Sequence, residues 1–214
     1  MKKRSTFDLV LTAFFLGILI LLASVPFLGF IPLGPINATT MHIPVIIASI
    51  ILGPRIGGFL GGAFGLISMI RSTLIITPLS FVFSPFVPLY GTDQGSWKAV
   101  LVALIPRILI GVAPYFVFKG CQKMWKNKQQ SLSLLLAGIA GGLTNTILVM
   151  NLIYFLFHQE YAAVVGKAGN AIYAAILGVI FTQGIPEAMV AGSATMAVAS
   201  VLLRLVTNRN KNRI

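Results

Sequence analysis

The sequence predicts an all-α integral membrane protein that crosses the bilayer six times, with an outward-facing substrate pocket capped by external loops and both termini in the cytoplasm. Three observations carry that expectation. The 214 residues are 57% hydrophobic and only 9% charged, with a mean hydropathy of +0.94, whereas a soluble domain carries about 25% charged residues. Apolar runs recur at about 9–28, 37–52, 56–76, 97–118, 132–157 and 183–206. Twelve of the 16 basic residues then fall on one side of those runs: Lys2, Lys3, Arg4, Arg55, Lys119, Lys123, Lys126, Lys128, Arg204, Arg209, Lys211 and Arg213. The excess of Lys and Arg in cytoplasmic loops assigns that side to the cytoplasm. The chain reads as one membrane domain over residues 1–214. The net charge of +12 does not point to nucleic acid, because the basic residues sit in short runs between apolar spans.

The first run follows a basic start, Met1-Lys-Lys-Arg4. It is longer than the roughly 7–15 residues of a signal-peptide core and no small-x-small site follows it, so it reads as an uncleaved span. Ala13 and Gly17 lie four apart on one of its faces, a spacing that lets another backbone approach closely. The loop Gly29-Phe-Ile-Pro-Leu-Gly-Pro35 cannot be absorbed into a helix. Asn37, Thr39, Thr40 and His42 follow it, and they serve either as helix caps or as hydrogen-bonding groups around a ligand. The second run would reach only about 24 Å against a hydrocarbon core of about 30 Å. Its start therefore lies inside the membrane or is irregular, which requires protein or a polar cavity around it.

The third run sets Gly57, Gly61 and Gly65 at four-residue spacing, a face for close helix packing, and carries Arg71 near its outer end. Residues 77–96 hold Pro78, Pro85 and Pro88 with Ser80, Phe81, Phe83, Phe86 and Tyr90. A loop of that length is functional or disordered, and its aromatics argue for an ordered external cap. The fourth run has Trp97 and Tyr115 as interfacial anchors and Pro106-Arg107 midway. The fifth begins with a packing face, Gly138 and Gly142, and turns polar at Thr144, Asn145, Asn151 and Tyr154. The last apolar stretch is too long for one upright helix, and Gly184-Ile-Pro186-Glu187 is expected to break it, leaving a shorter piece before the sixth span.

With that topology Asn37, Thr39, Thr40, His42, Ser80, Asn151, Tyr154, Gln183 and Glu187 all fall in the outer half, while the cytoplasmic half is apolar and rich in glycine. Asn151 and Tyr154, three apart, share a face. Arg107 lies about 15 Å below Trp97, where a charge costs roughly 2.5–3.5 kcal/mol and faces a cavity or a partner. Pro106 beside it removes a backbone donor and frees a carbonyl one turn earlier for a polar site. Two assignments are open for Arg107: a group facing a ligand cavity, with Arg71 the next candidate, or an internal ion pair with Glu187.

Catalytic chemistry has little to draw on. The acids are Asp8, Asp93, Glu160 and Glu187, with no close carboxylate pair. No zincin, nucleophile-elbow or Walker A motif is present, so no metal site, cofactor or ATP hydrolysis is expected. The single cysteine, Cys121, excludes an internal disulfide. The inner half also lacks the ionisable residues of an ion-coupled carrier. What remains is a binding subunit that borrows a motor, a self-sufficient facilitator, or an intramembrane enzyme. A facilitator would equilibrate substrate when reconstituted alone, and an enzyme would form product.

Ala13-x-x-x-Gly17, Ile36-Asn-Ala-Thr-Thr-Met-His-Ile-Pro-Val-Ile-Ile47, Leu52-Gly-Pro-Arg55 and Ser80-Phe-Val-Phe-Ser-Pro85 together resemble the substrate-binding S components of energy-coupling factor (ECF) vitamin transporters, over essentially the whole chain. The segments IPLGPINATTMHIPVII, LSFVFSPF and PRILIG are most similar to the pantothenate-specific branch. The resemblance implies six helices in a bacterial cell membrane, a vitamin bound under the first and third external loops, and work with a coupling membrane protein and two cytoplasmic ATPases. It also implies that Ala13 and Gly17 dock on the coupling protein, Gly17 standing where the family has a second alanine, and that the S component reorients in the bilayer. Branches for folate, riboflavin and related compounds share the fold. A planar aromatic vitamin would favour more Trp or Tyr in the outer half than this chain offers, since Trp97 and Trp125 fall at interfaces.

Overall fold

A computed structural model describes residues 6–25, 29–33, 36–126, 128–167 and 169–211. Nine α-helices and one short hairpin make up the described chain. The first helix, α1 (Thr6–Ser24), leads to strands β1 (Phe30–Leu33) and β2 (Ile36–Thr39), and then to α2 (His42–Leu52) and α3 (Pro54–Leu74). After a loop with one 3₁₀ turn (Ser80–Val82) come α4 (Lys98–Ile110), α5 (Ala113–Met124) and α6 (Gln130–Leu156). The chain closes with α7 (His158–Val165), α8 (Asn170–Val179), a π turn (Ile180–Gly184) and α9 (Ile185–Lys211).

Five stretches are long and apolar enough to cross a membrane: Thr6–Ser24, Pro54–Leu74, Lys98–Met124, Gln130–Leu156 and Ala171–Leu205. They coincide with five of the six expected spans. The basic residues Lys2, Lys3, Arg4 and Arg213, and Pro26 to Leu28 at the end of the first expected span, lie outside the described residues.

The second expected span is the departure. Its helix, α2, has 11 residues, and residues 36–39 are not helical but paired in an antiparallel hairpin, Phe30 opposite Thr39 and Leu33 opposite Ile36. At 1.5 Å per residue such a helix reaches only about 16 Å. Eight of its residues are buried, from His42 to Ile50. Other helices, not lipid, therefore surround it, and that is the setting in which irregular backbone can precede a half-length helix. Pro44 sits in the first turn, where its missing N–H would have no helical acceptor in any case.

The sixth expected span differs in another way. Gly184 and Pro186 do not break the stretch. The Ile185 N–H donates to the Ile180 carbonyl, five residues back, so a π turn lets the helix run on through a position where proline cannot supply the i−4 bond. The fourth span does bend, at Gly111 and Val112 between α4 and α5.

Glycines set the two tightest helix contacts. Along α3, a Cβ on Gly57 or Gly61 would land on the carbonyl oxygens of Gly111 and Arg107, and one on Gly65 would crowd Ala103 and Leu104. Helices α3 and α4 thus run antiparallel with their backbones touching. Gly138 and Gly142 of α6 meet Ala191, Gly192 and Ala188 of α9 in the same manner. Between these pairs the buried apolar side chains form two clusters. One gathers Phe15, Leu19, Val45 to Ala48, Ile50, Leu60, Phe64, Ile110, Leu134, Ala137 and Ala191; the other gathers Leu79, Phe81, Val82, Val102, Val149, Met150, Ile153, Phe157, Tyr161 and Ile176.

The loop 75–97 is ordered by its own packing, with Leu79, Phe81, Val82 and Val87 in the second cluster. Ser80 Oγ accepts from the Thr77 N–H (2.8 Å) and lies 3.3 Å from the Ile75 carbonyl, while Ser84 Oγ bonds Thr73 Oγ1 at 2.7 Å.

The α3–α4 contact yields a paired test. Gly61→Ala should cost about 1–3 kcal/mol through overpacking against the Arg107 carbonyl. Gly62→Ala, whose Cβ would meet nothing nearer than an Ile108 side-chain atom at 3.9 Å, should be neutral or slightly stabilising. Thermal unfolding of the two variants in detergent measures the difference.

Candidate functional site

Between the two apolar clusters lies one polar layer. On α4 Arg107 falls between Val102 of one cluster and Ile110 of the other; on α6 Asn145 falls between Ala137 and Val149. Helix contacts put these groups level with others. Ile46 of α2 abuts Gly141 of α6, and one turn towards the hairpin along each helix brings His42 level with Asn145. Gly184, at the end of the π turn, abuts Thr146, and Ala188 of α9 lies against Gly142, so Glu187 falls at the same height.

Arg107 is 4% exposed. Its Nη1–H donates to the Val102 carbonyl at 2.9 Å, and its Cζ lies 4.9 Å from the ring centre of Phe83 and 5.5 Å from that of Phe64. Among the described residues no ion pair or hydrogen bond joins it to Glu187, whose carboxylate has another partner. Of the two assignments open for Arg107, the internal ion pair is therefore not formed here.

Glu187 is bonded elsewhere: its Oε1 accepts from the Thr39 backbone N–H. That contact ties the end of the hairpin to α9, and the Thr39 hydroxyl accepts from the Met41 N–H at 3.2 Å. His42 is 2% exposed, and neither ring nitrogen has a hydrogen-bond partner. Arg107 Nε and Asn145 Oδ1 are likewise buried and unpartnered. Unsatisfied polar groups are rare in protein interiors, and each costs free energy unless something pairs it. Four such atoms in one layer, with a guanidinium among them, form a surface that a small anionic ligand with hydrogen-bonding groups can satisfy.

Thr39, His42, Arg107 and Glu187 are thus brought together among the expected residues. Asn37 lies on β2 opposite Pro32, with its side chain outside the description. Thr40 closes the hairpin, its N–H bonded to the Gly29 carbonyl at 3.1 Å. Gln183 lies in the π turn, one turn from Glu187. The others stand apart. Ser80 holds its own loop together. Asn151 donates to Ile147 of its own helix at 2.7 Å, and Tyr154 stacks edge-on with His158 and Tyr173. Arg71 reaches the Ala23 carbonyl at 3.4 Å, linking α3 to the end of α1. Ala13 and Gly17 are exposed on α1, away from the layer.

Three residues of the layer were not among the expected ones. Asn145 carried a signal, as a polar residue in an apolar run. Phe83 stood out only as one aromatic of the loop, and Phe64 carried no signal, since a phenylalanine in a greasy segment is ordinary core.

Residues 7–199 match the family described as ECF transporter, substrate-specific component. The pantothenic acid transporter PanT of Lactococcus lactis subsp. cremoris is 39% identical over 196 residues, covering 88% of this chain and 96% of that protein. The pantothenate transporter PanT of Leuconostoc mesenteroides subsp. mesenteroides is 30% identical over 210 residues, 95% of each chain. With five membrane-crossing stretches and bacterial relatives along nearly its whole length, the chain is a multi-pass protein of the bacterial cell membrane and belongs to the family of substrate-specific components of ECF transporters.

Proposed function

We propose that the chain binds pantothenate with high affinity at the polar layer and delivers it to an ECF coupling membrane protein driven by two ATPase subunits. The observation that carries this reading is Arg107, a buried guanidinium with no ion pair and with unpartnered polar atoms at its level. Pantothenate has a carboxylate, which a guanidinium grips through two parallel hydrogen bonds, and it has hydroxyl and amide groups for His42 and Asn145. Its aliphatic backbone suits walls built from Phe64 and Phe83. The names of the two relatives support the same substrate.

The ligand itself provides the test. Pantothenol, with an alcohol in place of the carboxylate, should bind wild type much more weakly than pantothenate does. Arg107→Ala should weaken pantothenate by about 2–5 kcal/mol, roughly 30-fold or more in Kd, because a buried charge loses its partner. It should also abolish most of the preference over pantothenol. If titration calorimetry finds a folded variant that still discriminates as wild type does, Arg107 is not the anchor.

Docking on the coupling protein falls to the face of α1 that carries Ala13 and Gly17. Phe15 and Leu19 turn the other face into the core, and a Cβ on Gly17 would meet nothing within 4 Å. A bulky residue there fits the isolated protein but blocks a partner backbone. Gly17→Leu should therefore leave pantothenate binding intact while uptake by reconstituted vesicles with the whole ECF complex falls. Equal loss of both would assign the first helix to the pocket.

The same reading orients the molecule, with six membrane segments (α2 the short one), the hairpin and the loop 75–97 outside, and both termini in the cytoplasm. An impermeant thiol reagent added to cells lacking Cys121 should label Gln94→Cys and spare Lys128→Cys. The reverse pattern inverts the topology.

A further inference from the structure

An α-helical carbonyl is normally bonded by the N–H four residues on. For Val102 that residue is Pro106, which has none. Val102 is wholly buried, so water cannot take the vacant place, and an orphaned buried carbonyl is unfavourable. The acceptor is filled instead by the Arg107 side chain, Nη1 to oxygen at 2.9 Å. Two liabilities adjacent in sequence, a helix-breaking proline and a buried charge, thus meet each other's need. The bond uses one of five guanidinium N–H donors, and Phe64 and Phe83 confine the group on its flanks. Nε–H has no protein partner. The guanidinium is thus held at one edge by the protein, while its Nε–H is left for another partner.

We infer that Pro106 is a positioning residue for substrate recognition: by withholding a donor from the Val102 carbonyl it orients the Arg107 guanidinium for an incoming carboxylate. This rests on the proposed reading of Arg107 as the carboxylate anchor. Replacing Pro106 by alanine restores a backbone N–H that competes for the carbonyl and frees the side chain to adopt other rotamers. A receptor that must order its anchor on binding loses affinity for the group that the anchor grips.

The experiment uses full-length protein in detergent, with pantothenate and pantothenol titrated into Pro106→Ala, Arg107→Ala and the double variant. Pro106→Ala should weaken pantothenate roughly five- to tenfold, the loss of a charge-assisted contact's alignment, and leave pantothenol within about twofold of wild type. In the Arg107→Ala background it should have no further effect. Since the readout is a ratio of two ligands on one preparation, partial loss of folded protein cancels; should the alanine variant fail to fold, Pro106→Leu restores the same donor with more of the original volume. If Pro106→Ala binds both ligands as wild type does, the inference is wrong. It is equally wrong if pantothenol suffers as much as pantothenate, or if the loss persists without Arg107, since Pro106 would then act through helix shape. A preference that survives in Arg107→Ala with Pro106 intact overturns the carboxylate reading, and the positioning inference falls with it.

Discussion

Backbone groups inside a bilayer must find partners within the protein, and every irregularity in a spanning segment has to answer that demand. Among the described residues three departures from straight helix lie near the polar layer, and each meets the demand differently. The hairpin pairs its own strands and hands the Thr39 N–H to Glu187. The vacancy at Pro106 is taken up by the neighbouring arginine. Pro186 is passed by a shift to i→i+5 bonding. In the first two cases the group that relieves the backbone is a residue of the layer.

Apolar packing on both sides explains why such a layer can persist. Val102 and Ile110 sit on either side of Arg107 in different clusters, so the charge is fenced along the helix axis. Across it, the glycines of α3 bring a bare backbone against α4, leaving no room for solvent from that side. The charge on Arg107 is isolated by close contact, and its electrostatic influence is correspondingly strong.

How much of this could be seen in the sequence varies with how local the cause is. Helix α3 and its packing face were legible because glycine spacing is a property of one helix. The freed carbonyl at Val102 was legible too, since it follows from a proline and a four-residue count; that Arg107 would take it was not, because a side-chain rotamer depends on the Phe rings around it. Asn145 and Asn151 look alike in sequence. What separates them is that Asn145 lies four residues beyond Gly141, on the face packed against Ile46, whereas Asn151 is turned to its own helix. The hairpin escaped notice for a similar reason. Its strands are four residues each, too short for an alternating pattern to stand out.

The π turn has a consequence for how the chain can vary. A π turn holds one residue more than an α-helix needs over the same rise, and each helical residue turns the chain by about 100°. Upstream of it, Ile172 and Ile176 are committed to one apolar cluster; downstream, Ala188 and Ala191 are committed to Gly142 and Gly138. The two halves are in phase with their separate neighbours only while the surplus residue is present. Side-chain exchanges between residues 180 and 184 leave that phase alone, whereas loss of a single residue would rotate Glu187 away from the hairpin, whatever the side chains. Length, more than composition, is the conserved quantity to expect in that segment among chains built on this plan.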